Sequence, residues 1–246
     1  MRALWRWILV LVLAGLALQL FFVLRLGLAV TVAPQSTTFQ RSEVWRIYRE
    51  KDRPHWSQHW VPYERISSNL KRAVIASEDD DFVYHDGVDW EAIEKAWERN
   101  AKAQELAAKA QLRATVRPVA QRAPKIVGGS TITQQLAKNL LLSGERTMLR
   151  KGQEFVLAYL LELLLTKERI LEIYLNSIEW GEGVFGAEAA AQHYWRKHAS
   201  ELTAYEAARL AVMLPRPRYF EKVPNSGYLS NRAMTIVARM RHAELP

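Results

Sequence analysis

The chain has 246 residues, 49% of them hydrophobic and 24% charged, which suits one folded domain with an appendage or at most two small domains. It contains no cysteine, so disulfides, thiolate metal sites and a cysteine nucleophile are excluded. Lys and Arg number 34 against 26 Asp and Glu, a net +8 that suits anionic lipids and phosphorylated substrates. No zinc-finger spacing, RNP-like aromatic motif or compact Lys/Arg block accompanies it, which disfavours nucleic acid.

Residues 7–24, WILVLVLAGLALQLFFVL, are apolar except for Gln19, and the run resumes after Arg25 as LGLAVTVA. About 20 apolar residues cross a bilayer. Residues 1–33 are therefore expected to form a cytoplasmic start and one transmembrane helix, with Arg25 reaching toward headgroups. Arg2 and Arg6 precede the run, which holds the amino terminus inside and exports the rest, although Arg25 and Arg41 weaken that asymmetry. A cleaved signal peptide is disfavoured by the length of the run and by Pro34 after Thr31-Val32-Ala33. A buried core helix is disfavoured because the run has no polar face.

Residues 34–62 read as a connector. Gln35, Ser36, Thr37 and Thr38 are polar, and Trp45, Trp56 and Trp60 lie among charges, as expected near a membrane surface or equally in a core. From Tyr63 to the end of the chain the pattern is mainly helical, with no sustained alternation that would demand a large sheet. A long helix is predicted over residues 89–111, and its polar second half suits a solvated helix or a flap. The chain up to Lys125 then turns basic and irregular, with Pro118 and Pro124. Gly128-Gly129 signals a turn, and Thr131 and Gln134 form a capping-box pattern opening a helix. Further helices are predicted over residues 147–165 and, capped by Thr166, up to Asn176. A Gly-rich loop follows over residues 180–186. Thr203 and Glu206 form a second capping box, opening a helix stopped by Pro215 and Pro217.

Three clusters carry candidate chemistry. In SEDDDFVYHDG, from Ser77 to Gly87, four consecutive acids follow an apolar helix. Acids commonly decorate a solvated turn, but Phe82 and His85 give this turn a reason to fold back and hold one carboxylate in an apolar setting. Burial would raise its pKa and suit it to general-base work. One His among clustered acids is weak evidence for a metal site. In GGSTITQQLAKN, from Gly128 to Asn139, hydroxyls and backbone N–H groups at a helix start favour an anion, and Lys138 adds charge. The plain alternative is an ordinary cap; a nucleotide P-loop is excluded by the glycine spacing. In RKGQE, Arg150 and Lys151 share a helix face with Glu154, either as a surface ion pair or as a cationic pocket around one carboxylate. Two carboxylates, Glu78 and Glu154, with cations and hydroxyls suit glycosyl chemistry on a phosphorylated donor.

With these motifs in order, joined by KERILEIYLN and ARLAVMLP, the chain resembles the peptidoglycan glycosyltransferases of family 51. It is most similar to the monofunctional biosynthetic transglycosylases, and less so to the glycosyltransferase domains of bifunctional penicillin-binding proteins. The resemblance covers roughly residues 63–220. It implies a mainly α, lysozyme-like helical glycosyltransferase domain at residues 63–246, carried in the periplasm by one N-terminal transmembrane helix in the inner membrane. It implies polymerisation of lipid II into β-1,4-linked glycan, with inversion at the donor anomeric carbon and release of undecaprenyl pyrophosphate. Glu78 would be the general base on the acceptor 4-hydroxyl, and Glu154 the second essential carboxylate, near the leaving group. Asp79, Phe82 and His85 would shape the turn holding Glu78, and are counted with the substrate-binding set. Ser130, Thr131, Gln135, Lys138, Asn139, Arg150 and Lys151 would contact donor sugar or pyrophosphate. A divalent cation such as Mg2+ is compatible with phosphate chemistry, although the sequence shows no ligand cage. Expected partners are lipid II, the growing glycan strand, the membrane and proteins of the division or elongation machinery.

The segment over residues 88–127 is longer and richer in Lys, Ala and Gln than the family pattern. Ser68 and Lys71 match the Ser-x-x-Lys of transpeptidases by chance; no Lys-Thr-Gly follows, and no β-lactam binding is expected. Two other functions compete. A glycan-cleaving enzyme would share the paired carboxylates but would not need Lys138, Arg150 and Lys151 for a pyrophosphate. A non-catalytic cell-wall scaffold would not need both carboxylates.

Overall fold

The computed structural model describes residues 2–51, 55–113, 128–142, 144 and 147–246, with the side chains of 110–113 left aside. The basic stretch around Pro118 and Pro124 lies outside these residues. The described chain is mainly α, with eleven α-helices and one small sheet.

Helix α1 (Arg2–Ala29) has a mean hydropathy of 2.7 over its most apolar window and leaves nearly all its side chains exposed. At 1.5 Å per residue its length exceeds the hydrocarbon thickness of a bilayer. Only its last turns meet the rest of the chain, where Phe22, Leu26 and Ala29 are buried. Helix α6 (Met148–Leu164) packs beside this end of α1, and the amides of Gln19 and Gln153 pair reciprocally at 2.9 and 3.1 Å. Polar groups in an apolar surrounding are costly unless paired, so this double bond makes a specific dock.

The stretch from residue 34 to 62 contains helix α2 (Thr38–Lys51) and strand β1 (Ser57–Gln58). Gln40 is fully buried and donates to the carbonyl of Ser177, while Thr38 donates to Leu140. These bonds hold α2 against α5 (Ile132–Leu141) and the end of α7 (Lys167–Ser177). Asn176, also buried, accepts from the N–H of Val61 at 2.9 Å and donates to the carbonyls of Val61 and Glu172 at 2.9 Å each.

The Gly-rich loop forms a buried hairpin. Strand β2 (Glu179–Gly181) runs antiparallel to β3 (Val184–Phe185), and β1 adds to β3 in parallel, in the order β1-β3-β2. At Gly183 φ is +74°, and a Cβ would lie 2.2 Å from the His55 carbonyl oxygen, so only glycine fits. Sequence patterning shows no strand here because Trp180, Val184 and Phe185 are all buried; neither face reaches water to produce alternation.

Helices α3 (Ser68–Glu78), α9 (Ala204–Met213) and α11 (Gly227–Arg239) pack together, with α9 between the other two. Ser67 caps α3, and the predicted capping box of Thr203 and Glu206 opens α9. Leu70, Val74, Leu210 and Ile236 are buried in this layer. A Leu210→Ala change there would cost about 2–5 kcal/mol through the lost contacts and the cavity left behind. Pro217, expected to stop α9, also opens the short helix α10 (Pro217–Glu221), since its missing N–H costs nothing in a first turn. Helix α4 (Trp90–Arg113) covers the mouth of the site, and α8 (Ala187–Trp195) follows the hairpin.

Candidate active site

Glu78 ends α3, and the turn after it is fastened by its own acids. Asp79 is buried; its carboxylate accepts the N–H of Ile132, at the start of α5, at 2.8 Å, and lies 2.9 Å from His85 Nε2. A carboxylate at a helix start meets the positive end of the dipole. Phe82 is fully buried beneath the turn, edge-on to His85, with the Lys167 ammonium 4.6 Å from its ring centre. Lys167 also donates to the His85 carbonyl and to Glu162, and Glu162 accepts from Thr133 at 2.6 Å. Gly87 has φ +82°, and a Cβ there would press on Glu162 and the Ala158 carbonyl at 3.0 and 3.1 Å. The turn is thus locked from three directions, which fixes where Glu78 points.

Helix α5 opens with the capping box read from the sequence: Thr131 accepts from Gln134 N–H, and the Gln134 side chain accepts from Thr131 N–H. Thr131 also donates to the Gly87 carbonyl at 2.6 Å, tying α5 to the Glu78 turn. One turn on, Gln135 Nε2 donates to Glu78 Oε2 at 3.0 Å, and Gln135 Oε1 accepts from the Tyr174 hydroxyl at 2.9 Å. Burial pushes the Glu78 carboxyl above its ordinary value, reinforced by Asp79 and opposed by the Gln135 hydrogen bond and by Lys138. A carboxylate raised in this way is a stronger base than an exposed one.

Glu154, near the start of α6, is 3% exposed and receives two cations. Arg150 Nη1 donates to one oxygen at 2.8 Å, and Lys151 pairs with the other. Two cations around one buried anion leave a surplus positive charge. Lys151 also reaches Ser130 Oγ at 3.4 Å and lies 5.1 Å from the Phe155 ring centre. Phe155 stacks on Trp90, joining α6 to α4.

Two cavities flank these groups, one on each side of the Glu78–Gln135 hydrogen bond. One, of about 430 Å3, is lined by Phe39, Gln135, Lys138, Asn139, Arg150 and Tyr174 among others. Among its described lining residues the one acid is Glu179, held by Arg218 through two hydrogen bonds of 2.9 and 3.0 Å. The other, of about 320 Å3, is lined by Ser130, Thr131 and the acids Glu78, Asp79, Asp80, Asp81, Asp89 and Glu91, with Lys95 and Arg99 from α4 and Arg239 from α11. Glu78 faces one cavity and its hydrogen-bond partner Gln135 faces the other. Lys151 spans from Ser130, on one side, to the Arg150–Glu154 pair on the other.

Of the residues singled out in the sequence, Glu78, Ser130, Gln135, Lys138, Asn139, Arg150, Lys151 and Glu154 come together at this junction. Phe82 and His85 are placed differently, behind the cavity walls, while Asp79 and Thr131 line the cavity of Glu78 with their side chains hydrogen-bonded within the protein. The residues missed are Tyr174, Lys167, Glu162 and Thr133. A signal existed for Tyr174, which shares the buried face of its helix with Ile170 and Leu171, where a phenol needs a partner for its hydroxyl.

Metal fit is poor. Asp79 is engaged by Ile132 and His85, and Asp80 pairs with Arg239 at 2.9 Å. Among the described residues no group of three or more His, Asp and Glu is arranged to hold an ion.

The sequence profile of the family described as Transglycosylase matches residues 46–241. The biosynthetic peptidoglycan transglycosylase of Herminiimonas arsenicoxydans is 49% identical over 239 residues, 97% of this chain and 95% of that protein. Those of Bordetella pertussis and Paraburkholderia phytofirmans are each 52% identical, over 87% and 96% of this chain and 82% and 91% of their own lengths. With its site formed by the motifs of that resemblance, and with similarity running through nearly its whole length, the chain belongs to the transglycosylase family, as a glycosyltransferase of peptidoglycan synthesis.

Proposed function

We propose that the enzyme polymerises lipid II, with Glu78 as general base and the Arg150–Lys151–Glu154 cluster serving the leaving group. The observation that carries this reading is the pair of cavities on either side of the Glu78–Gln135 hydrogen bond: a sheltered carboxylate lines one, and Lys138 and Arg150 line the other. The acceptor sugar lies in the cavity lined by Glu78 and Ser130. Its 4-hydroxyl oxygen attacks the donor C1 as Glu78 takes the hydroxyl proton. The C1–O bond to pyrophosphate breaks on the opposite face, so the anomeric centre inverts and a β-1,4 linkage forms. The departing undecaprenyl pyrophosphate carries its charge onto Lys138, Arg150 and Lys151. Glu154 holds Arg150 and Lys151 in place and faces the positive charge that develops at C1.

Arg2 and Arg6 keep the amino terminus of α1 in the cytoplasm, so the cleft works on the outer side of the inner membrane. A pure glycan cutter would gain nothing from the cationic wall, which favours synthesis. The test is glycan formation from lipid II by the full chain beside Glu78→Gln. Polymer is expected from the parent enzyme, with a loss of roughly 100-fold or more in the variant. Full activity in the folded variant refutes the base assignment, and cleavage of preformed strands without synthesis refutes the polymerase.

A further inference from the structure

Tyr174 lies on the buried face of α7, 1% exposed, and among the described residues its hydroxyl bonds one group, Gln135 Oε1, at 2.9 Å. The other end of that amide, Nε2, donates to Glu78 Oε2 at 3.0 Å. The two ends of a glutamine amide have nearly the same shape and opposite hydrogen-bonding roles, so the neighbours decide which end faces which way. Turned over, the amide would set an acceptor against the ionised carboxylate. It would also take from the Tyr174 proton the one acceptor it has among the described residues. Burial, then the charges of Glu78 and Asp79, raise Tyr174 well above its ordinary pKa, so its proton is kept throughout the working range.

We propose that Tyr174 is a positioning residue for glycan transfer: its hydroxyl locks the Gln135 amide with Nε2 toward Glu78, which favours the ionised base. The inference rests on Glu78 being that base. The charges nearest Glu78 are Asp79 beside it and Lys138 on α5. The wall of its cavity adds Asp80 and Asp81 from the turn, Glu91, Lys95 and Arg99 from α4, and Arg239 from α11, while Asp89 caps α4. Tyr174→Phe alters none of these and keeps the ring that fills the core.

The test compares the full chain with Y174F, Q135L and the double variant, measuring turnover of lipid II against pH. In parallel, the Glu78 carboxyl is titrated by carbon NMR, its resonance assigned by its absence from E78Q. In Y174F the acid limb and the Glu78 titration should move together to higher pH, with turnover on the acid side falling about tenfold and KM unchanged. Q135L should move the limb and the Glu78 titration in the same direction, and adding Y174F to it should move the limb no further. A Glu78 titration unchanged in Y174F, or a double variant whose limb moves by the sum of the two, overturns the proposal. If the titration moves while the limb stays, the base assignment fails and the proposal with it. If neither moves while E78Q is inactive, the base assignment stands and the Tyr174 lock alone falls.

Discussion

Asp79→Asn removes the charge that fastens the catalytic turn while keeping the side chain's shape. Asp79 accepts the first N–H of α5 at 2.8 Å and faces His85 at 2.9 Å, with almost no solvent contact. A hydrogen bond to a buried charged group is worth about 1.5–3 kcal/mol, and a carboxylate at a helix start adds about 0.3–1 kcal/mol. An asparagine can keep one acceptor but must turn its NH2 toward a second partner, so one bond and the charge are lost. The expected cost is about 3 kcal/mol. For a chain of this size that lowers Tm by roughly 6–12 °C. Tryptophan fluorescence melts in a single detergent, with near-UV circular dichroism at low temperature to confirm folding, would measure it. A Tm within about 2 °C of the parent would show that Asp79 does not fasten α5 to the turn.

Other perturbations follow from the same geometry. Asn176→Ala removes three bonds between α7 and the backbone at Val61 and Glu172, so we expect a loss of about 3 kcal/mol and earlier protease cleavage near residue 60. Unchanged cleavage kinetics would count against the clamp. Gly183→Ala should prevent folding, because its Cβ would collide with the His55 carbonyl at a backbone angle that favours glycine; recovery of folded, active protein would contradict this. Glu78 is raised above its ordinary value near 4.5, chiefly by burial, so its ionisation opposes folding. Its contribution to stability is fully present below the unfolded value and is lost as pH rises through the folded one. Glu78→Gln should therefore raise Tm at neutral pH and change it little in acid, and equal melting shifts at both would refute that sign. Gln19→Leu orphans Gln153 at a cost of about 0.6–2 kcal/mol, and Gln19→Leu with Gln153→Leu should recover most of it, read by thermal melts in lipid nanodiscs.

Local chemistry was legible in the sequence wherever a short pattern decides it. Thr131, Thr166 and Thr203 cap the helices that their spacing announces, and the apolar run of α1 stands apart by composition alone. The motif residues around Glu78, Gln135 and Glu154 likewise meet at one junction. What the sequence hid are pairings between distant segments. Lys167 reaches back to the carbonyl of His85, and Tyr174 reaches Gln135, with no local period to mark either bond. The hairpin around Gly183 looks like a loop in the sequence because its strands are too short and too buried to alternate. Helix α2 was not read as a helix: its residues are polar on average, and it is held by the fully buried Gln40 rather than by an apolar stripe.

The reciprocal amide pair between Gln19 and Gln153 has a consequence for altitude. Gln19 lies ten residues before the end of α1, roughly 15 Å along the helix axis. Gln153 adjoins Glu154, so a point inside the membrane-spanning helix is riveted next to the cation cluster. The anchor then works as a ruler: it sets how far the Arg150–Lys151–Glu154 cluster stands from the lipid tails. A long isoprenoid pulled wholly into water would cost about 0.8 kcal/mol for each CH2 exposed. Under the proposed reaction, a cleft held at headgroup height would let the sugar and pyrophosphate enter while the tail stays dissolved in the bilayer.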